Sequence, residues 1–493
     1  MKKSYIYKPL LAALLLGLSR LPLHLGFLSF WGFIPLFSLF NENLKNKKII
    51  LSAIIFSTVY TLISLHWISL VTIPGFFGLF ILFGIYFSIL FLLIRNLWKI
   101  LPKLRYLIFI CFWLSFEYLQ NFGEFRFPWF NAGYSLSDYL ILLQPAEIGG
   151  IYLLSLLIII LNIFFYELRN NLIRNLLSII LLLIIWFGYG IYRLITIPLQ
   201  ETKTDISIVQ VSVPQNKKWE QSYLDSTLIL YEKYSEIAAK NNSSLIIWPE
   251  SAIPAYVKRQ TKFRSFISRT ARKVQTDIFT GFPHYEIADS TYHSRFKFYN
   301  SCTRIDKNGK YYPLYYKNVL VPFGERIPFL NIFPLLWKLD FGQANWEYGT
   351  ELEFYDVDGY KYSPLICFEI AFSKLTLKIA QQNADFIVNL TNDAWFYRSA
   401  GTYQHAVMTK FRAIETRKQI YRAANTGYSL IISPTGKVLQ KTRLFERNVI
   451  HDRLFLYEGN SIFTKYLYWF PLVFVFGAGL LIVVFLLKKW MIR

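Results

Sequence analysis

The uneven placement of apolar residues constrains this chain more than any other feature. Long apolar runs dominate residues 1–198 and 466–487, whereas 199–465 mixes apolar and polar residues as a water-soluble α/β protein does. The chain is 54% hydrophobic and only 17% charged, too apolar for an ordinary soluble protein. A helix needs about 20 apolar residues to cross a bilayer. Eight runs approach that length: 8–20, 24–41, 49–71, 75–94, 104–120, 143–166, 174–197 and 466–487. The first is short and the fifth is interrupted by charge. The expected organisation is a multi-pass helical membrane domain over 1-198, an α/β domain over 199-465, and a last span with a tail over 466-493.

Loop charges test this count, because basic residues collect on the cytoplasmic side of short loops. With Lys2, Lys3 and Lys8 inside, alternation also puts inside Lys45, Lys47 and Lys48; Arg95, Lys99, Lys103 and Arg105; Arg169 and Arg174; and Lys488, Lys489 and Arg493. The outer loops then hold only Arg20 and Arg126. One span more or fewer breaks the pattern. Residues 199–465 are therefore expected to face outward, the periplasm of a two-membrane bacterium, with both termini cytoplasmic. The start is basic but lacks a small-residue cleavage site, so no cleaved signal peptide is expected. The outer region carries 35 basic and 25 acidic residues, a net +10 that suits an anionic lipid surface or plain solvation. No nucleic-acid-binding motif is present, and a monomer is expected. The outer loop "NFGEFRFPWFNAGYSLSDYL" at 121–140 is read as an interfacial aromatic segment bordering a lipid-facing cavity.

Three cysteines, Cys111, Cys302 and Cys367, form no disulfide framework. In 199–465, β-branched runs alternate with amphipathic segments, which predicts a layered α/β domain. Polar residues gather where the strand-like runs end: Glu250 after "LIIW", Lys317 and Glu325 eight residues apart, Cys367 and Glu369 in "LICFEI", and Asn392 and Asp393 after "FIVNL". Sites form there because several strands deliver side chains to one place. Taken singly, each has a bland reading: a solvated carboxylate, a snorkelling lysine, a thiol that fills the core. Together they supply nucleophilic acyl chemistry. A thiol needs a base to become thiolate, and a tetrahedral oxyanion needs a cation or N–H donors. Glu, Lys and Cys provide these without histidine, although His284, His293 and His405 remain open as partners. No HExxH, CxxC or P-loop pattern occurs, so neither metal nor cofactor is expected.

The segments "WPESAIP" with Glu250, "YKNVLVPFGERIP" with Lys317, and "LICFEI" with Cys367 resemble the Glu-Lys-Cys segments of the nitrilase superfamily of CN hydrolases. With the membrane runs, "FPWFNAGYS" and the pattern from "NDAWF" to Ser429, the whole chain is similar to the apolipoprotein N-acyltransferase family. That resemblance implies an α-β-β-α sandwich beside about eight spans. It implies that Cys367 takes an acyl chain from a phospholipid as a thioester, and that a diacylglyceryl-modified apolipoprotein then accepts it. Glu250 would be the general base and acid, and Lys317 the oxyanion stabiliser. Glu325 and Glu369 would be supporting carboxylates; Trp219, Asn300 and Phe368 would lie on the substrate or lipid side. Phe368 departs from the tyrosine common in the family. A membrane-anchored amidase using the same triad is one alternative, and a transporter or scaffold with a degenerate domain is another. Cys302 is expected to be dispensable.

Overall fold

The computed structural model describes residues 3–491 except 219, 290, 291, 293 and 339–344. The chain divides into two compact units, Met1–Thr196 with Ser461–Arg493, and Ile197–Asn460.

The first unit is helical. A helix forms at each of the eight apolar runs, but five have the length and hydropathy to cross a bilayer: Asn46–Leu70, Ile73–Ile100, Ala146–Glu167, Leu172–Thr196 and Phe470–Met491. Ser4–Leu18 and Gly26–Phe40 are shorter, and Arg105–Leu119 has 15 residues. At 1.5 Å per residue, 15 residues rise about 22 Å, short of the roughly 30 Å hydrocarbon layer. The expected eight are thus five of full length and three shorter. Part of the aromatic loop belongs to the core of this unit. Residues 128–137 are buried inside the unit. Phe130 lies 4.5 Å from the Phe83 and Tyr60 rings, and Trp129 packs on Trp67. Glu117 accepts the Ala132 N–H at 2.9 Å and the Trp113 indole N–H at 3.1 Å. These rings are core, and the loop's exposed large apolar residue is Phe122. Aromatic content marks packing as readily as a membrane interface.

The second unit holds twelve strands among the described residues: β1 Leu199–Gln210, β2 Leu245–Ile247, β3 Asp277–Ile287, β4 Phe296–Ile305, β5 Tyr315–Tyr316, β6 Tyr355–Val357, β7 Tyr360–Ile366, β8 Phe386–Thr391, β9 Gln419–Ala424, β10 Leu430–Ile432, β11 Val438–Lys441 and β12 Asn448–Tyr457. They form two six-stranded sheets, ordered β12-β1-β2-β3-β4-β5 and β11-β10-β9-β8-β7-β6. Successive side chains point to opposite faces of a strand, and the sequence exploits this. Ile206, Ile208, Leu245, Ile247 and Phe279 face the second sheet, meeting Tyr362, Ile366, Val388 and Leu390. Their alternates Val209, Val211, Ile246, Trp248 and Ile278 face outward onto Leu224, Leu228, Tyr231, Phe263 and Ile267. Those residues come from helices Gln221–Ala239 and Thr261–Val274. Helices Ser373–Gln381 and Ala400–Thr416 accompany the second sheet, the latter packing on β9 and β10. The result is the expected α-β-β-α sandwich. In it β1, β2 and β3 run parallel, as do β7, β8 and β9. Glu250, Cys367, Asn392 and Asn425 all follow the C-terminal ends of parallel strands.

Candidate active site

Cys367 is the first residue after β7 and opens a short 3-10 turn, Cys367–Ala371. Its φ is +52°, in the left-handed region that a non-glycine residue occupies only under constraint. Such strain costs on the order of 1–3 kcal/mol and persists only where the surroundings impose it. Glu369 imposes it from below. Its carboxylate accepts the Ile366 N–H at 2.7 Å, the Asn318 N–H at 2.6 Å and the Val319 N–H at 3.0 Å. The Tyr315 hydroxyl lies 2.9 Å from both of its oxygens. Burial lifts this carboxyl to about 7, and the backbone N–H groups and Lys317 oppose the rise. Every contact is a donor, so the geometry fits the ionised form. Glu369 thereby ties the nucleophile turn to the segment carrying Lys317.

Glu250 lies three residues beyond β2, on the buried end of the first sheet. Gly281 of β3 lies against it: a Cβ there would stand 3.1 Å from the Glu250 Cα. The Asn300 amide donates to Glu250 Oε1 at 2.7 Å, and the Asn392 backbone N–H donates to Oε2 at 2.8 Å. These occupy about two of the four lone-pair positions of a carboxylate, leaving acceptor capacity for a proton. Lys317, fully buried, sits with Nζ 4.0 Å from Glu250 Oε1 and donates to Glu325 Oε1 at 2.8 Å. Glu325 is itself held by the Val321 N–H at 2.9 Å. Burial opposes the charge on Lys317, but Glu325, Cys367 and Glu250 outweigh it and hold the ammonium well above the usual lysine range. Burial, and then the Glu250 charge, push the Cys367 thiol well up, with Lys317 opposing. The resting sulfur is therefore a thiol, and its deprotonation requires an adjacent base. The arrangement contains that base, a permanently charged cation and a thiol on a constrained turn.

A second polar cluster lies against the nucleophile turn. The His405 ring, from helix Ala400–Thr416, has Nε2 3.1 Å from the Cys367 carbonyl and Nδ1 2.8 Å from Asp393 Oδ1. Arg422 of β9 donates to Asp393 Oδ2 at 2.8 Å, and its guanidinium also reaches Asn389 of β8. Gly427 makes room for this carboxylate, since a Cβ there would meet Asp393 Oδ2 at 2.4 Å. Burial works against ionisation of Asp393, but Arg422 and His405 hold its carboxyl well below the usual range. A donor atom from each of Cys367, Asp393 and His405 lies within 4.8 Å of the others, a spacing open to a metal ion. The Arg422 guanidinium already occupies the cation position beside Asp393, and both imidazole nitrogens are engaged.

The structure brings together Glu250, Lys317, Glu325, Cys367, Glu369 and Asn300. Phe368 is buried with its ring edge-on to Phe372 at 5.1 Å. Trp219 and His293 lie outside the described residues. His284 stacks on Tyr316, and burial with Lys258 and Arg259 holds it at about 4. Cys302 is wholly buried between the sheets, where desolvation pushes its thiol well up. Sequence reasoning did not single out Lys218. Its buried ammonium donates to the Glu250 carbonyl oxygen at 3.1 Å, and burial pushes it down to about 8. The resemblance pattern from "NDAWF" to Ser429 includes Asp393, His405 and Arg422, but their mutual contact was hidden, because they come from three elements.

The carbon-nitrogen hydrolase family matches residues 206–454, and the apolipoprotein N-acyltransferase N-terminal domain matches residues 12–164. The sandwich and its strand-end cluster thus define a carbon–nitrogen hydrolase domain attached to a helical unit. An apolipoprotein N-acyltransferase of Geobacter metallireducens is 33% identical over 377 residues, covering 74% of this chain and 71% of that one. One from Rickettsia prowazekii is 33% identical over 71% of this chain and 70% of its own length. One from Chlorobaculum tepidum is 26% identical over 98% and 97%. The chain belongs to the apolipoprotein N-acyltransferase family.

Proposed function

We propose that this chain moves one acyl chain from a phospholipid to the α-amine of the N-terminal diacylglyceryl-cysteine of apolipoproteins. In the first half-reaction Glu250 takes the Cys367 proton and the thiolate attacks the ester carbonyl. The C–S bond forms, and the oxyanion develops beside the Lys317 ammonium, where a preorganised charge stabilises it most. Collapse breaks the ester C–O bond, and Glu250 returns the proton to the departing lysophospholipid oxygen. In the second half-reaction the neutral amine attacks the thioester. Glu250 accepts the amine proton, the C–S bond breaks, and the thiol is restored as the amide forms.

The observation carrying this reading is the convergence of Glu250 and Lys317 within 4.0 Å, with the thiol of a strained turn under the charge of both, in a chain of this family. Glu325 fixes Lys317, Glu369 holds the turn, and Asn300 orients Glu250. Phe368 and Trp219 are assigned to the lipid side on family resemblance. Residues 199-465 form the catalytic domain, and the loop charges support its facing the periplasm from the inner membrane with both termini cytoplasmic. Acyl substrates reside in that membrane, which gives the apolar helices a purpose a soluble amidase lacks. The test supplies purified protein with acyl-labelled phospholipid and a diacylglyceryl-cysteine peptide. Label is expected on the peptide amine. Label released only as free fatty acid would favour the hydrolytic alternative.

A further inference from the structure

One buried arginine of the helical unit has no carboxylate partner among the described residues. Arg95, near the end of helix Ile73–Ile100, is 1% exposed. Its Nη2 donates to the Leu44 carbonyl at 2.9 Å, and its Nε has no partner among the described residues. A buried cation without a counter-ion is costly. Basic residues collected on one side of a membrane set topology, but exposed side chains serve that purpose and do not explain a buried one. One turn further along the helix, Trp98 and Lys99 line a cavity of about 210 Å³, well above the roughly 10–15 Å³ that one water needs. Arg105 lines it too, as the first residue of helix Arg105–Leu119, whose first turn holds no acidic residue. The Lys99 ammonium donates to the neutral Asn43 Oδ1 at 2.6 Å. Arg105 is matched by Glu167 at 2.7 Å, and the lining carboxylate of Glu42 is taken by Lys8 and by the Ser4 hydroxyl at 2.5 Å. Four cations thus stand against two carboxylates, and the excess of two positive charges belongs to Arg95 and Lys99.

We propose that this cavity binds the phosphate of an anionic glycerophospholipid. The Lys99 ammonium and the positive end of helix Arg105–Leu119 meet the phosphate, and Arg95 adds charge one helical turn away. Two observations favour a lipid over a free anion. Part of the lining is apolar, from Phe40, Trp98 and Pro102, and the neighbouring Leu104 and Leu107 are 39% and 49% exposed, as acyl-chain contacts would be. The cavity also lies at the last turn of a helix long and apolar enough to cross a bilayer, the depth at which phospholipid headgroups begin. The loops that form it are those whose charges place them on the cytoplasmic side. All of these residues belong to the helical unit, so the site stands apart from the acyl-transfer reading above.

The test uses the full-length protein, stripped of lipid in a neutral detergent. It is titrated with phosphatidylglycerol or with phosphatidylcholine of the same acyl chains. Native mass spectrometry reads the affinity for the first lipid bound, and the melting temperature of each variant confirms that it is folded. Phosphatidylglycerol is expected to bind at least about fivefold more tightly than phosphatidylcholine. The Lys99 side chain is exposed, so Lys99→Gln is expected to fold and to bind phosphatidylglycerol about fivefold more weakly. Lys103→Gln, on the same loop but outside the cavity lining, is expected to leave the affinity unchanged. Equal affinity for the two lipids overturns the proposal. So does an unchanged affinity in Lys99→Gln, and so does a loss in Lys103→Gln as large as in Lys99→Gln, which marks diffuse loop charge. Displacement of the lipid by excess inorganic phosphate would assign the cavity to a free anion and overturn the lipid assignment. Acyl transfer is read separately, on Cys367, and its failure would leave this proposal standing.

Discussion

Replacing Glu369 by glutamine separates two states of that residue that differ by one proton. If the carboxyl were protonated in the working protein, glutamine would nearly copy it. The geometry argues otherwise: Ile366, Asn318 and Val319 all present N–H groups, and Tyr315 presents O–H. A carboxylate accepts from all of them, whereas a glutamine side chain must turn its NH₂ toward at least one. The least costly orientation faces the NH₂ toward Ile366, because the other oxygen serves both Asn318 and Val319. One buried backbone N–H is then orphaned, at about 1–3 kcal/mol, and the remaining bonds lose their charge assistance. A net loss of about 2–3 kcal/mol corresponds to a fall of roughly 4–12 °C in the unfolding midpoint of a domain this size. The orphaned N–H belongs to the residue before Cys367, so the nucleophile turn loosens first. The assay is thermal unfolding of Glu369→Gln alongside its rate of acyl-thioester formation. Both are expected to fall. A variant with wild-type melting and acylation would show that Glu369 is neutral and that donors to its carboxylate do not hold the turn.

Other outcomes follow from neighbouring groups. The Glu250 charge helps raise the Cys367 thiol, so in Glu250→Gln the alkaline inflection of iodoacetamide alkylation should move to lower pH, although acyl transfer drops by at least about 10²-fold. Because the folded thiol lies above the ordinary cysteine range, wild-type alkylation should keep rising with pH beyond that of a free thiol. Glu325→Gln removes the carboxylate paired with buried Lys317 at 2.8 Å and should destabilise the domain by about 3–5 kcal/mol, read by chemical denaturation. Asp393 owes its depressed value chiefly to Arg422. Its ionisation adds stability above the unfolded carboxylate range of about 4, lost as pH falls through the lower folded value. Arg422→Met should therefore shift acid unfolding to higher pH. Cys302→Ala should keep acyl transfer near wild type, since that thiol is wholly buried in the core between the sheets, where burial and then the Glu369 and Glu250 charges disfavour its thiolate, and should cost about 1 kcal/mol of stability.

Much of this protein was legible before its structure. The division near residues 198 and 465 shows as a change in apolar run length, and the observed units break at 196 and 460. The layered domain was legible because β-branched runs alternate with amphipathic helical segments along 199–465. The candidate residues Glu250, Lys317 and Cys367 were legible because strands end in polar residues, although only the family resemblance ranked Glu250 above Glu369 as the proposed base. The helices at three of the eight runs are shorter than the others, since an apolar run such as 24–41 reports hydropathy but not the break at Gly26–Phe30 and Pro35. Residues 128–137 of the loop at 121–140 pack as core, which its composition did not reveal because aromatic residues suit an interface and a core equally. The resemblance pattern from "NDAWF" to Ser429 spans Asp393, His405 and Arg422, but that the three touch was not legible. Their contact depends on one helix and two parallel strands meeting, and no local periodicity encodes that.

The central claim is that Cys367 carries the acyl group between donor and acceptor. Intact-protein mass spectrometry with peptide mapping, after incubation with phospholipid and no acceptor, tests it most directly. The account predicts one fatty acyl group in thioester linkage on Cys367, cleared by neutral hydroxylamine and by a diacylglyceryl-cysteine peptide, and missing from Cys367→Ala. An adduct on Cys302 or Cys111, or acyl transfer to the peptide by Cys367→Ala, would contradict it.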